Sequence, residues 1–208
     1  AVRPAGRAPP PRAAGEAEAL AGWPAAFLAA ALGSFLAFAL VAAFVRPLAR
    51  KPEPPQEAGL FDFRPVLRNR AALAYTLGYA AHIWELFGFR AWLVAFLVFV
   101  FAQQPALAAG PWTPTQVATV ILLLGMPASI LGNEIATAFG RRRAIACFMI
   151  TSGAISLVIG FLAAAPVWLL GALLAIYGCV IMADSGALTA GTVIAATPQR
   201  RGATMALH

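Results

Sequence analysis

Four ionisable residues stand inside long apolar runs of this sequence: His82, Glu85 and Arg90 in one run, and Asp184 in another. In water such residues would be ordinary. At the centre of a lipid bilayer each costs at least about 2.5 kcal/mol, so each must carry a proton, hold a polar solute or fasten helices together. At about 100° per residue, Tyr75, Tyr79, His82, Leu86 and Phe89 form one stripe of a helix, with Glu85 three residues from His82 on the same side. Glu85 and Arg90 lie about 140° apart and cannot pair within a regular helix. In the other run, Tyr177 and Asp184 share a face, with Ser185 beside the carboxylate. A lone intramembrane aspartate needs a basic partner or water, and Arg90 is the expected partner. Glu85 and Asp184 are the expected proton carriers, since burial disfavours the charged carboxylate. Tyr75, Tyr79 and Phe89 are expected to line the same path.

The reading of these residues depends on the runs that hold them. Hydrophobic residues make up 61% of the 208 and charged residues 11%, against about 25% charged in soluble proteins. The mean hydropathy is +0.79. This balance excludes a soluble enzyme and predicts an all-α, polytopic transmembrane bundle of five spans. Expected spans cover residues 22–46, 72–101, 116–138, 144–164 and 167–196. Residues 1–21, rich in Ala, Pro, Gly and Arg, read as a disordered, low-complexity segment. Residues 47–70, with Pro47, Pro52, Pro54 and Pro55, read as a polar linker, and 71–208 as one four-span unit. Gly125 and Pro127 predict a kink in the third span. Gly125 with Ser129, and Ser185-Gly186-Ala187 with Gly191, read as small-residue surfaces where another helix approaches closely. Cys147 and Cys179 fall in apolar runs with no second ligand type nearby, so neither a metal site nor a cofactor is expected.

The formal charge is +7, which in a soluble chain would suggest nucleic acid. Placement argues otherwise. Arg46, Arg50, Lys51, Arg64, Arg68 and Arg70 lie between the first and second spans, Arg141, Arg142 and Arg143 between the third and fourth, and Arg200 and Arg201 after the fifth. The other two loops have no basic residue. This alternation is an orientation signal that puts the basic loops in the cytoplasm. It points to the bilayer of a bacterial inner (plasma) membrane, with no nucleic-acid partner.

Between the third and fourth spans stands Asn133-Glu134-Ile135-Ala136-Thr137-Ala138-Phe139-Gly140-Arg141-Arg142-Arg143. It resembles the loop signature of the major facilitator superfamily, Gly-x-Leu-Ala-Asp-Arg-x-Gly-Arg-Arg. Gly140, Arg141 and Arg142 match its end, and Ile135-Ala136 its apolar pair. Thr137 replaces the family's aspartate, Ala138 its first arginine, and Gly132 is one residue early, with Glu134 the expected substitute acid. Thr197 to Met205, including Arg200 and Arg201, is similar to the loop after the fourth helix of each half. The resemblance implies helices six to ten of a twelve-helix transporter, with the N-terminal half and last two helices supplied by further chain. It also implies that helices seven and ten, carrying His82, Glu85, Arg90 and Asp184, line the cavity, while six and nine only pack. The implied function is secondary transport of a small solute by alternating access, with protons as coupling partner. The competing expectation is a channel or intramembrane enzyme in which Glu85, Arg90 and Asp184 are a structural charge network. Asp184 is the only aspartate in a span, no nucleophile motif surrounds Ser185, and no filter loop appears.

Overall fold

A computed structural model describes residues 14–46 and 63–208. The chain divides into two units, residues 1–52 and 53–208. Among its described residues the first contains one helix, α1 (Ala14–Phe44). Its stretch Phe27–Phe44 is long and apolar enough to cross a membrane. The helix begins inside the segment read as disordered: residues 14–21 are helical, consistent with the helix propensity of their alanines, leucine and glutamates. The rest of that segment, 1–13, lies outside the described residues. Pro24 is carried within the helix.

The second unit holds four further membrane-length helices. They are α3 (Arg70–Gln103), α5 (Pro114–Phe139), α6 (Arg141–Ile159) and α7 (Val167–Ala195), with short helices α2 (Arg64–Arg68), α4 (Pro105–Ala108) and α8 (Arg201–Leu207) between or after them. The described residues contain no strand. Helices α3, α5 and α7 match their expected spans to within two residues, while α6 starts three residues and ends five residues early. The end of the expected linker is not extended, however: Arg64–Arg68 form α2, with Pro65 in the first turn where its missing N–H costs nothing. Residues 47–62 lie outside the described residues. The three arginines expected in a loop form the first turn of α6. Gly140 alone makes the turn, at φ 93°, a conformation that side-chain-bearing residues rarely adopt. Helix α5 runs unbroken through Pro127.

Helix α7 is the hub, packing against α3, α5 and α6. Its contact with α5 is backbone to backbone. A β-carbon at Gly132 would overlap the Ala183 carbonyl, and one at Gly186 would stand 3.2 Å from the Ser129 carbonyl oxygen. Lipid tails give helices no hydrophobic reason to associate, so close van der Waals contact at small residues supplies it.

Caps and amides fix the ends. Asn69 caps α3, accepting from the Ala72 N–H at 3.2 Å, and donates from Nδ2 to the Ala195 carbonyl at 2.7 Å. At the opposite end, Gln104 Nε2 donates to the carbonyls of Ala163 and Ala165 at 3.0 and 3.1 Å. Thr113 and Gln116 form a reciprocal capping box that starts α5. Helix α3 is therefore tied at one end to the close of α7 and at the other to the turn that opens it.

Gly132→Ala is expected to destabilise the α5–α7 contact by about 1–3 kcal/mol, the usual cost of overpacking. Gly153→Ala, where nothing lies within 4 Å of the added carbon, is the control. Thermal unfolding in detergent should show a lower midpoint for the first variant and little change for the second.

Candidate functional site: an intramembrane polar cluster

On α3 the stripe predicted from spacing faces the bundle, and His82, Leu86 and Phe89 are buried. Opposite it, α7 buries Tyr177, Ile181, Asp184 and Leu188. The two helices bring His82 Nδ1 to 2.8 Å from Asp184 Oδ1, with side chains 1% and 4% exposed. The approach is of ion-pair length, but the angles do not make an aligned hydrogen bond. His82 Nε2, like Nδ1, has no hydrogen-bond partner among the described residues. Thr76 Oγ1, also on α3, is buried and unpartnered too. The pair is an imidazole and a carboxylate buried together between α3 and α7, a placement in which each is the other's nearest charge-bearing group.

The expected Arg90–Asp184 pair does not form. Arg90 is exposed, and it has no hydrogen bond or ion pair among the described residues. The physical reason is rotation. His82 and Asp184 each stand at the centre of the face its helix buries, whereas Arg90 lies about 80° around α3 from His82. Histidine takes the place assigned to arginine.

Glu85 turns to α6. Its Oε2 accepts from Ser152 Oγ at 3.1 Å, while Oε1 is buried without a partner. Helix α6, expected only to pack, thus supplies a ligand to the acid. Tyr177 of α7 lies beside both Glu85 and Ser156, and its ring meets Phe89 edge to face at 4.8 Å. A cavity of about 190 Å³ follows this rung, bounded by residues of α3, α6 and α7. A larger cavity of about 340 Å³, near the α3 end marked by Gln104, has no ionisable side chain in its lining.

Tyr79 extends the cluster toward the basic end. Its ring stacks on His82 with centroids 5.5 Å apart and on His208 at 4.0 Å. His208 Nδ1 and Nε2 lie 3.0 and 3.2 Å from the hydroxyls of Thr192 and Thr189. Tyr75 packs with Tyr79 against Ala187 and Leu188.

The loop motif is wired differently from expectation. Arg141 Nη1 donates to Asn133 Oδ1 at 3.1 Å and to the Ala187 carbonyl at 3.3 Å. Glu134, expected to substitute for the missing aspartate, is exposed and makes no such contact; Asn133 does. Arg142 and Arg201 are exposed, and the Arg200 carbonyl accepts from Thr204 Oγ1 at 2.8 Å.

The bundle, its Gly-Arg-Arg turn and the arginine that locks α5 to α7 meet a family model described as Major Facilitator Superfamily, which matches residues 13–208. The chain belongs to the major facilitator superfamily. No curated protein and no solved structure matches it. This major facilitator chain is thus an integral membrane protein of a family of transporters that handle small molecules within the lipid bilayer. Ser152, Asn133, Thr76 and His208 do not stand out in the sequence. Small polar residues in apolar helices are common, and only the partner across the interface marks them.

Two outcomes follow. Asp184→Leu should destabilise the bundle by about 3–5 kcal/mol, because it leaves His82 buried without a partner. The His82→Leu/Asp184→Leu double variant should cost less than the sum of the single changes; additive costs in detergent unfolding would dissolve the pair. His208 lies beyond the last membrane-length helix, and burial holds its imidazole below the ordinary value, which is about 6.5. As pH falls through about 6.5, the unfolded segment takes up a proton that the packed ring resists, so packing of α8 weakens in acid. Hydrogen exchange of α8 should speed up on acidification, and His208→Gln should remove that dependence.

Proposed function

We propose that this major facilitator chain performs proton-coupled secondary transport of a small solute by alternating access, with His82–Asp184 and Glu85 on its path. The observation that carries the reading is the buried His82–Asp184 contact between two helices about halfway along each. A carboxylate buried against an imidazole changes its favoured partners when a proton arrives, and helix packing around it responds. Sites of this kind near the midplane, between rocking helical units, are how secondary carriers couple ion to solute. Glu85, which gives one oxygen to Ser152 and buries the other without a partner, is the second acid on the path. Tyr79 and Phe89 flank the two acids, and Tyr75 steadies Tyr79. In this reading the basic ends, Arg70, Arg141 to Arg143 and Arg200 to Arg201, face the cytoplasm of a bacterial plasma membrane.

Arg90 remains an exposed cation on the flank of α3 away from Glu85 and takes no part in the pair. A purely structural role for the acids would alter stability and leave transport coupling untouched.

Proteoliposomes containing the protein and a trapped pH-sensitive dye would be challenged with a library of small solutes. Wild type should show solute-dependent proton movement. Glu85→Gln and Asp184→Asn should each reduce it by tenfold or more. Undiminished proton movement in both variants would sink the proposal.

A further inference from the structure

The arginines at one end of the four-helix unit lack counter-charge among the described residues. Two contacts and one connection bring them together. Asn69 holds the start of α3 against the close of α7. Arg141 reaches from the start of α6 to the Ala187 carbonyl, about two turns before that close, and α8 follows α7 after a short turn. Arg68, Arg70, Arg142, Arg143 and Arg201 therefore lie at the same end. All five are exposed, and none makes a side-chain hydrogen bond or ion pair among the described residues. The acids described in this unit are Glu85, Glu134 and Asp184. Glu85 and Asp184 are engaged in mid-bundle by Ser152 and His82. That leaves Glu134, near the end of α5, against five guanidinium groups.

Such charges set orientation when a chain is inserted, but the folded protein still carries them afterwards. Arg142 and Arg143 gain nothing from their own helix, because they occupy the first turn of α6, where the helix dipole is itself positive. Their compensation has to be an external anion. The arginines also have apolar neighbours at the bilayer surface. Leu67 precedes Arg68, Phe139 precedes the Gly140 turn that opens α6, and Ile194 lies in the last turn of α7; all three are exposed. A free anion gains nothing from these side chains, whereas a phospholipid satisfies both. Its phosphate accepts paired N–H bonds from the planar guanidinium, and its acyl chains cover the apolar residues beneath. A zwitterionic headgroup brings an ammonium that the arginines repel, so the match is to a headgroup of net negative charge. We infer that this arginine-rich end binds anionic phospholipid headgroups, with Arg68 and Arg70 forming one seat and Arg142 and Arg143 another. The inference concerns the bilayer and does not depend on what the chain transports.

The test offers the protein, in an uncharged detergent, equal amounts of phosphatidylglycerol and phosphatidylcholine with the same acyl chains, and counts bound lipid by native mass spectrometry. Phosphatidylglycerol should be retained at least threefold over phosphatidylcholine, and the preference should fade as salt is raised. Replacing all four seat residues (Arg68→Gln, Arg70→Gln, Arg142→Gln and Arg143→Gln) should bring the ratio close to one. Arg90→Gln, which removes a like charge in mid-span, should leave it unchanged. Equal retention of the two lipids by wild type, an unchanged preference in the fourfold variant, or a loss in Arg90→Gln as large as in the fourfold variant would each overturn the inference. Displacement of the lipid by millimolar inorganic phosphate would reveal a free-anion site and overturn it as well. Should the fourfold variant fail to fold, the two pairwise variants decide: each should lower the ratio, and no change in either rejects both seats.

Discussion

The carbonyl of Ala183 lies where any side chain at position 132 would have to begin, and the next residue along α7 is Asp184. Contact between α5 and α7 at this point does more than hold two helices together. It fixes how α7 is turned about its own axis, because a rotation of even a few tens of degrees would lift Ala183 out of the notch at Gly132. With that rotation set, Asp184 is aimed at α3, where it meets His82 at 2.8 Å. The polar centre of the bundle is thus positioned by a close backbone contact about 100° around the helix that carries it. In a bilayer, where hydrophobic burial does not drive helices together, such a notch is one of few ways to impose a rotational register.

How much of this is legible in the sequence divides along physical lines. The spans are readable because a run of about twenty apolar residues is the length a bilayer crossing needs and more than a soluble surface could hide. The helix ends are readable because Pro, Gly and Arg mark them. The stripe on α3 follows from helical spacing alone; of the α5–α7 contact, Gly125, Ser129 and Gly186 are legible as small-residue surfaces, whereas Gly132, the closest approach, is not. Partner choice does not. Arg90 and His82 are both basic side chains on the same helix, and the rotation of α3 against α7 selects the histidine. The same holds for Asn133 over Glu134. The glutamate is the better chemical match for a missing acid, but it projects from the exposed side of α5 while the asparagine meets Arg141. Charge identifies candidates; the interface picks among them.

The two acids have different surroundings. Asp184 is enclosed by α3 and α7 and touches an imidazole. Glu85 is shared between α3 and α6, gives one oxygen to Ser152 and buries the other without a partner. They stand on one short stretch of structure, since His82 and Glu85 are less than one turn apart.

Asn69 and Gln104 give α3 one further property. Each end of this 34-residue helix is tied by amide hydrogen bonds to carbonyls that begin or end α7. A rod pinned at both ends to its neighbour cannot tilt or slide past it without breaking a pin. What remains is bowing, and bowing has its greatest amplitude at mid-length, where His82, Glu85 and Gly88 are found. The two amides therefore turn α3 into something like a leaf spring, compliant in the middle and stiff at the membrane faces. Movement of the polar residues relative to α6 and α7 would then leave the ends of the bundle almost where they were.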